Sequence, residues 1–372
     1  NDSQLAYAVM KYKNRSGWTH RDVLRKAHPQ PTNQTQNGIF KFITSGELLA
    51  DDSPAHQFIE AALEASTTDD IDRAIELVRE FNLPREVINT KFLKDPRMWE
   101  ALLPKMGMTA MFRNLRNMHK SGFLVQGSDA EREVVRRLND ANALQKGRIH
   151  PVQVFLARQN AMYEIDRRDS FWSSRERIEN FPQSVTNALE GAFYLSFGNL
   201  EGTDKRILVG VDVSGSMTSV IGGTSITSAE WAAVLAMVTV RQAPFAEVYG
   251  FSDGFINLGL TPHDSLEDVT RKTQMHTFGW TDCALPMVHA QENNKSFDAF
   301  VIYTDSETGG AHNVEDELAR YRKGFVEDAK LSVVATESNN ISIGNPNDPN
   351  VLNVCGFSPQ TPRVLEAFIN GV

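Results

Sequence analysis

The sequence predicts two domains of different class: an α-helical domain over residues 1–197 and an α/β, Rossmann-like domain over residues 198–372. Three observations predict this. Before about Phe197, apolar residues recur at helical spacing in short runs, with no β-rich run among them. After a polar, glycine-containing linker at 198–205 the pattern changes to alternating strands and helices, which requires a largely parallel sheet with right-handed crossovers. The charge changes at the same place: residues 1–200 hold 27 Lys+Arg against 25 Asp+Glu, a net of +2, and residues 201–372 hold 11 against 22, a net of −11. A chain of 372 residues is long enough for two full cores.

In the first half, apolar spacing and caps predict helices over 3–13, 20–27, 34–44, 54–66, 69–82, 97–103, 108–119, 128–145, 151–162 and 183–197. The stretch 69–82 shows the pattern: Ile71, Ala74, Ile75 and Val78 form one stripe, while Asp72, Arg73, Glu76 and Arg79 face water. Short helices joined at Pro84, Pro96, Pro104, Gly107 and Pro151 are similar to the stacked pairs of a solenoid, although no repeat unit is visible in the letters. Positive charge is local, with seven basic against three acidic residues in 1–50 and nine against four in 101–150, so basic patches are expected.

The first 28 residues hold one such patch. Lys11-Tyr-Lys-Asn-Arg15 interleaves base and aromatic, and Thr19 with Asp22 three positions on starts a helix. On that helix Arg21, Arg25 and His28 share one face, and Val23, Leu24 and Ala27 lie on the other. A basic face is usually only solvated, and Tyr7, Tyr12 and Trp18 are more often packing residues than platforms for bases. The functional alternative is phosphate contact by Lys and Arg with stacking of unpaired bases on the rings.

In the second half, strands are predicted over 206–212, 246–251, 298–304 and 331–336, with an edge strand at 255–260. Helices are predicted over 227–242, 264–274, 283–292, 313–327 and 361–370. Arg206-Ile-Leu-Val-Gly-Val-Asp-Val-Ser-Gly-Ser-Met217 is a buried strand ending in a loop of small polar residues, and open α/β sheets bind ligands at such tips. Asp212, Ser214 and Ser216 are hard oxygen donors suited to Mg²⁺, Mn²⁺ or Ca²⁺ rather than zinc. Two further strand ends add Thr281-Asp282 and Asp305.

This order, D-x-S-x-S, then Thr, then Asp, resembles the metal-ion-dependent adhesion site of von Willebrand factor A domains. The resemblance implies a divalent cation, Mg²⁺ foremost, held by Asp212, Ser214, Ser216 and Thr281, with Asp305 acting through water and a partner's carboxylate completing the shell. The chain departs from that pattern at Trp280, a large ring where relatives commonly have glycine.

Lys11 through His28, Met111-Phe-Arg-Asn-Leu-Arg-Asn-Met118, Arg148-Ile-His-Pro151, Thr281-Asp-Cys-Ala-Leu-Pro-Met287 and Tyr303-Thr-Asp-Ser-Glu-Thr308 together resemble the Ro autoantigen (TROVE module) family. That resemblance implies HEAT-like helical repeats closed by the A domain into a monomeric ring. Its outer surface would bind small non-coding Y RNAs, and its hole would admit single-stranded ends of misfolded RNAs. The implied Y RNA contacts are Lys11, Arg15 and His28, with Arg21 and Arg25 on the same helix face and Arg113 and Arg116 on the basic ring surface. Family members begin much earlier, so upstream repeats are expected to be missing here.

The leading expectation is therefore a non-enzymatic RNA-binding protein for RNA quality control or processing, whose A domain recruits a protein partner, such as an exoribonuclease, through the metal. The alternative is an adhesion or assembly module with a helical scaffold and no RNA. Enzyme chemistry finds little support. No P-loop is present, and G-x-S-x-G fails because Asp212 takes the first glycine position. His263, His276, His289 and His312 are not placed by spacing as bases and are expected at the surface or in packing. Composition is that of a soluble globular protein, with 41% hydrophobic and 23% charged residues. Two cysteines point to a reducing compartment, and the longest apolar run, 232–240, is far short of a membrane span, so a cytoplasmic protein is expected.

Overall fold

Most helices of the first half start where the sequence supplies a side-chain cap. Asn1 caps α1 (Asp2–Lys11), Thr19 caps α2 (His20–Ala27) in a reciprocal box with Asp22, Asn33 caps α3 (Gln34–Ser45), Ser53 caps α4 (Pro54–Thr67) and Asp70 caps α5 (Ile71–Phe81). They continue with α6 (Pro96–Leu102), α7 (Met108–Lys120) and α8 (Asp129–Leu138). The computed structural model describes residues 1–15, 17–166, 174–252, 254–274, 281–305, 310–337 and 343–371. The chain packs as two units, Asn1–Val134 and Val135–Val372. In the first, α1 buries Ala6, Val9 and Met10 and packs on α4, whose Ile59, Ala61, Ala62 and Ala65 are buried.

The second unit contains α9 (Ala141–Lys146), α10 (Pro151–Met162), a hairpin of β1 (Tyr163–Asp166) and β2 (Ser174–Arg177), and α11 (Gln183–Ser196). Then come β3 (Ile207–Asp212), α12 (Ser228–Gln242), β4 (Ala246–Phe251), β5 (Phe255–Asn257), α13 (Leu266–Gln274), α14 (Leu285–Glu292), β6 (Ala299–Thr304), α15 (Val314–Gly324), β7 (Lys330–Ala335), β8 (Val351–Cys355) and α16 (Thr361–Asn370). The sheet order is β5-β4-β3-β6-β7-β8, parallel except for the antiparallel edge β5. The first strand, β3, therefore lies centrally, buried over its whole length, with β4 and β6 on either side.

Gly210 lets a helix close on that central strand. A Cβ there would lie 2.8 Å from Pro286 Cγ and 3.2 Å from the Phe251 ring. Neither neighbour is a flexible chain end. Gly210→Ala is expected to destabilise the second unit by about 1–3 kcal/mol through overpacking, read as a lower urea midpoint at unchanged slope.

The structure departs from the expectations in several places. The packing boundary falls inside α8, not at 197/198: α10 and α11 pack on each other and α10 packs on α12, so these helices belong to the unit that holds the sheet. The compositional change marks where strands begin, not where a core ends. The helix expected over 128–145 is two helices, because Asp140 caps α9 by accepting the Ala143 amide at 3.0 Å. The β1–β2 hairpin falls within a half expected to lack β structure. Its four-residue strands, Tyr-Glu-Ile-Asp and Ser-Arg-Glu-Arg, carry too few apolar residues to register as strands. The edge strand β8 was not expected either, since Val351 to Cys355 is short and half exposed. Among the described residues no helix is long and apolar enough to cross a membrane.

Candidate functional site

The C-terminal ends of β3, β4 and β6 meet at one edge of the sheet. Asp212, the last residue of β3, lies in register with Phe251 at the end of β4. Its carboxylate accepts the Ser214 amide at 2.9 Å through Oδ1 and the Thr304 hydroxyl, from the end of β6, at 2.8 Å through Oδ2. Ser214 and Ser216 bring their hydroxyl oxygens to 3.0 Å from each other. Asp305 follows Thr304 and is close enough that its charge raises the Asp212 pKa. The second loop reaches the same edge through backbone: the Asp282 N–H donates to the Ser252 carbonyl at 3.0 Å, and Ser252 follows Phe251. Thr281, beside it, is buried.

Asp212 is only 1% exposed and, among the described residues, makes no ion pair with Lys or Arg. Burial pushes its carboxyl up to about 6, against the lowering effect of the Ser214 and Thr304 hydrogen bonds. A buried acid that is hard to ionise, two hydroxyls within reach of each other, and a second acid close by form an all-oxygen donor set. Among the described residues no group of three or more His, Cys, Asp or Glu side chains is placed to hold a metal. A cation here would rest on hydroxyls as much as on carboxylates, which fits Mg²⁺, Mn²⁺ or Ca²⁺. Trp280 and His276 lie outside the described residues, as do residues 306–308 of the third motif.

One pair at this edge was not legible in the sequence. His312 Nδ1 lies 2.7 Å from Asp282 Oδ2, and Asp282 Oδ1 accepts the Ala284 amide at 3.0 Å. A carboxylate can only accept, so Nδ1 carries the hydrogen and the ring is held by its Nδ1 side. Gly310 makes this approach possible, since a Cβ on it would fall 2.3 Å from Asp282 Cβ. Thirty residues separate Asp282 and His312 in the chain, and no spacing rule joins them.

In the first unit, Lys11 at the end of α1 and Arg15 in the turn after it lie against aromatic rings. Lys11 Nζ donates to the Tyr7 hydroxyl at 3.2 Å and sits 5.4 Å from the centre of the Tyr12 ring, while Arg15 sits 5.5 Å from the same centre. Arg15 and Trp18 exchange backbone hydrogen bonds of 2.9 and 3.0 Å, closing the turn between the helices. Tyr12 and Trp18 are 42% and 52% exposed, so these rings do not pack away as aromatic residues usually do. Arg15, Arg21, Arg25 and His28 are exposed as well. His28 ends α2 in the left-handed conformation with φ 44°. The expected apolar face of α2 is not buried: the helix has no buried residue, and Val23 is exposed. Arg113 is exposed and Arg116 half-buried on α7, whose main packing is against Thr90–Lys94 rather than α1 or α2.

A doubly wound sheet that gathers a D-x-S-x-S loop, a Thr-Asp loop and a third acidic strand end at one edge defines a von Willebrand factor A domain, here following a helical region. The Ro60 vWA domain family matches residues 206–369, and the TROVE domain family matches residues 82–171. The chain is 36% identical to the RNA-binding protein RO60 of Deinococcus radiodurans over 373 residues, covering 99% of this chain and 69% of that protein. It is 30% identical to the RNA-binding protein RO60 of Caenorhabditis elegans over 421 residues, covering 99% of this chain and 63% of that one. The crystal structure of the Deinococcus radiodurans RO (RSR) protein superposes with a TM-score of 0.84 at 35% identity, covering 100% of this chain and 74% of that chain. The chain belongs to the Ro60 family.

Proposed function

We propose that this chain is a non-enzymatic RNA-binding protein that holds small structured RNA, of the Y RNA kind, on the surface formed by α1, α2 and the turn between them. The observation that carries this reading is the cluster of half-buried Lys11 with exposed Tyr12, Arg15 and Trp18, continued by exposed Arg21, Arg25 and His28. Cations beside exposed rings suit phosphates next to unpaired bases. The names of both relatives support it. Arg113 and Arg116, on α7 and apart from that surface, would meet single-stranded ends of misfolded RNA, in a monomeric cytoplasmic ribonucleoprotein serving RNA quality control.

The second part of the proposal concerns the sheet edge. Asp212, Ser214, Ser216, Thr281 and Asp305 would hold a divalent cation, Mg²⁺ in the first place, with Mn²⁺ or Ca²⁺ as substitutes. When bound, the cation supplies an open coordination position for a carboxylate of a protein partner, such as an exoribonuclease. The chain's own residues do the positioning: the Ser214 amide and Thr304 hydroxyl fix both oxygens of Asp212, and Asp282 anchors the loop that carries Thr281.

Filter binding of a small structured RNA to the intact chain across a salt series tests the first part. Affinity is expected to fall steeply, with the logarithm of the binding constant dropping linearly against the logarithm of salt, by about 0.7–0.9 per phosphate engaged. No retention of RNA at low salt would sink the reading.

A further inference from the structure

The loop that carries Thr281 is held by a side chain from a distant part of the chain. Asp282 is only 6% exposed, and its polar groups are taken up from three directions. Its N–H donates to the Ser252 carbonyl just past β4, and its Oδ1 accepts the Ala284 amide at the start of α14. Its Oδ2, a buried acceptor, lies 2.7 Å from His312 Nδ1, whose hydrogen satisfies it. Gly310 closes on the same residue, since a Cβ there would fall 2.3 Å from both Asp282 Cβ and Cγ.

His312 is itself anchored. Asn313, the next residue, caps α15 by accepting the Glu315 and Asp316 amides at 2.9 and 3.1 Å. Helix α15 buries Val314, Leu318 and Tyr321 and is tied back to α14 by Gln291, whose side-chain amide donates to Glu317 at 3.0 Å. The imidazole thus reaches from a fixed helix start to the residue beside Thr281. With 39% of its side chain exposed, the ring is not a core residue. What it contributes at this edge is the hydrogen bond to Asp282.

We propose that His312 is a positioning residue for the divalent cation: through Asp282 it fixes Thr281, and the fixed position of that donor favours Mg²⁺ over Ca²⁺. The inference rests on the reading of the sheet edge as a cation site and adds to it a residue outside the donor set. Asp212, Ser214 and Ser216 come from one short loop, and Asp212 is fixed by its own bonds to the Ser214 amide and the Thr304 hydroxyl. Thr281 comes from a separate loop, and His312 and Gly310 help to set its distance from the other donors. Mg²⁺ demands near-ideal octahedral geometry, whereas Ca²⁺ accepts varied distances and ligand numbers. A Thr281 free to shift therefore weakens binding of the smaller ion more. Groups that orient a metal ligand from behind are typically worth about 10–100-fold in affinity.

The test uses the intact chain with Mn²⁺ as reporter, the free ion counted by electron paramagnetic resonance, and Mg²⁺ or Ca²⁺ as competitor. His312→Ala is expected to bind Mn²⁺ and Mg²⁺ about tenfold more weakly, and Ca²⁺ weaker by less than about threefold. His312→Phe keeps the bulk of the ring without its N–H and is expected to match the alanine variant, so the test stands if either one fails to fold. In His312→Asn the side-chain amide donates where the ring Nδ1 does, and Mg²⁺ affinity is expected within about twofold of wild type. A residue acting on stability alone would lower the melting temperature of the metal-free protein and leave the ratio of Mg²⁺ to Ca²⁺ affinity unchanged. Unchanged Mn²⁺ affinity in His312→Ala and His312→Phe, with wild type binding and Asp212→Asn not binding, overturns the inference and leaves the cation reading intact. Equal losses for Mg²⁺ and Ca²⁺, or His312→Asn as weak as the other two variants, also overturn it. Absence of Mn²⁺ binding by wild type overturns both.

Discussion

Replacing Lys11 and Arg15 by alanine and His28 by asparagine in one variant is expected to weaken binding of a structured Y-type RNA by roughly a hundredfold or more. Each charge-assisted hydrogen bond to phosphate contributes about 1.5 kcal/mol or more, and three lost together exceed the 2.7 kcal/mol or so that a hundredfold represents. Structure is expected to survive. Arg15 and His28 are exposed, Lys11 is half-buried with its main bond to the Tyr7 hydroxyl, and asparagine suits the left-handed backbone that ends α2. Circular dichroism should therefore be unchanged while the gel-shift midpoint moves. Equal affinity of variant and wild type would remove the α1–α2 surface from the proposal. Intermediate loss would place part of the affinity elsewhere on the chain.

Asp212→Asn is expected to raise the stability of the metal-free protein at neutral pH by about 3 kcal/mol, and to abolish any stabilisation by Mg²⁺ or Mn²⁺. The sign follows from burial, which pushes the Asp212 carboxyl up to about 6 from an ordinary value of 3.8. The folded state thus holds this proton more tightly than the unfolded chain. Metal-free wild type loses stability as pH rises from about 4 through about 6, by an amount the gap between those values sets at about 3 kcal/mol. Asparagine never ionises; its Oδ1 accepts the Ser214 amide and its Nδ2 donates to the Thr304 hydroxyl, which turns from donor to acceptor. A bound cation offsets the same penalty in wild type, so added Mg²⁺ should raise its melting temperature at pH 7 and leave the variant unmoved. Thermal melts with chelator and with metal, at pH 5 and pH 7, read all four states. Equal responses of both proteins to metal would end the assignment of Asp212 as a ligand.

How much of this was legible from the letters differs between elements. The helices at 20–27, 151–162 and 361–370 have the bounds that spacing and caps predict, because a capping Thr or His and a proline at the first turn are local signals. The strand ending in Asp212 is read from an apolar run of the right length, whereas its central place is set by the pairing of β4 and β6 on either side. The hairpin at 163–177 and the edge strand at 351–355 are held by partners, not by their own composition, and local patterns miss them. Spacing placed Val23, Leu24 and Ala27 opposite the basic face of α2 but does not say whether anything covers that face, and the helix has no buried residue.

Residue types and their spacing were enough to establish two kinds of chemistry, oxygen donors at the end of a parallel strand and cations interleaved with rings near the start of the chain. Only the folded molecule decided that Thr304 bonds Asp212 and that His312 holds Asp282. The reason is range. Caps, strand tips and helix faces arise between residues a few positions apart, whereas these pairings join segments 92 and 30 positions apart, and packing alone brings such segments together.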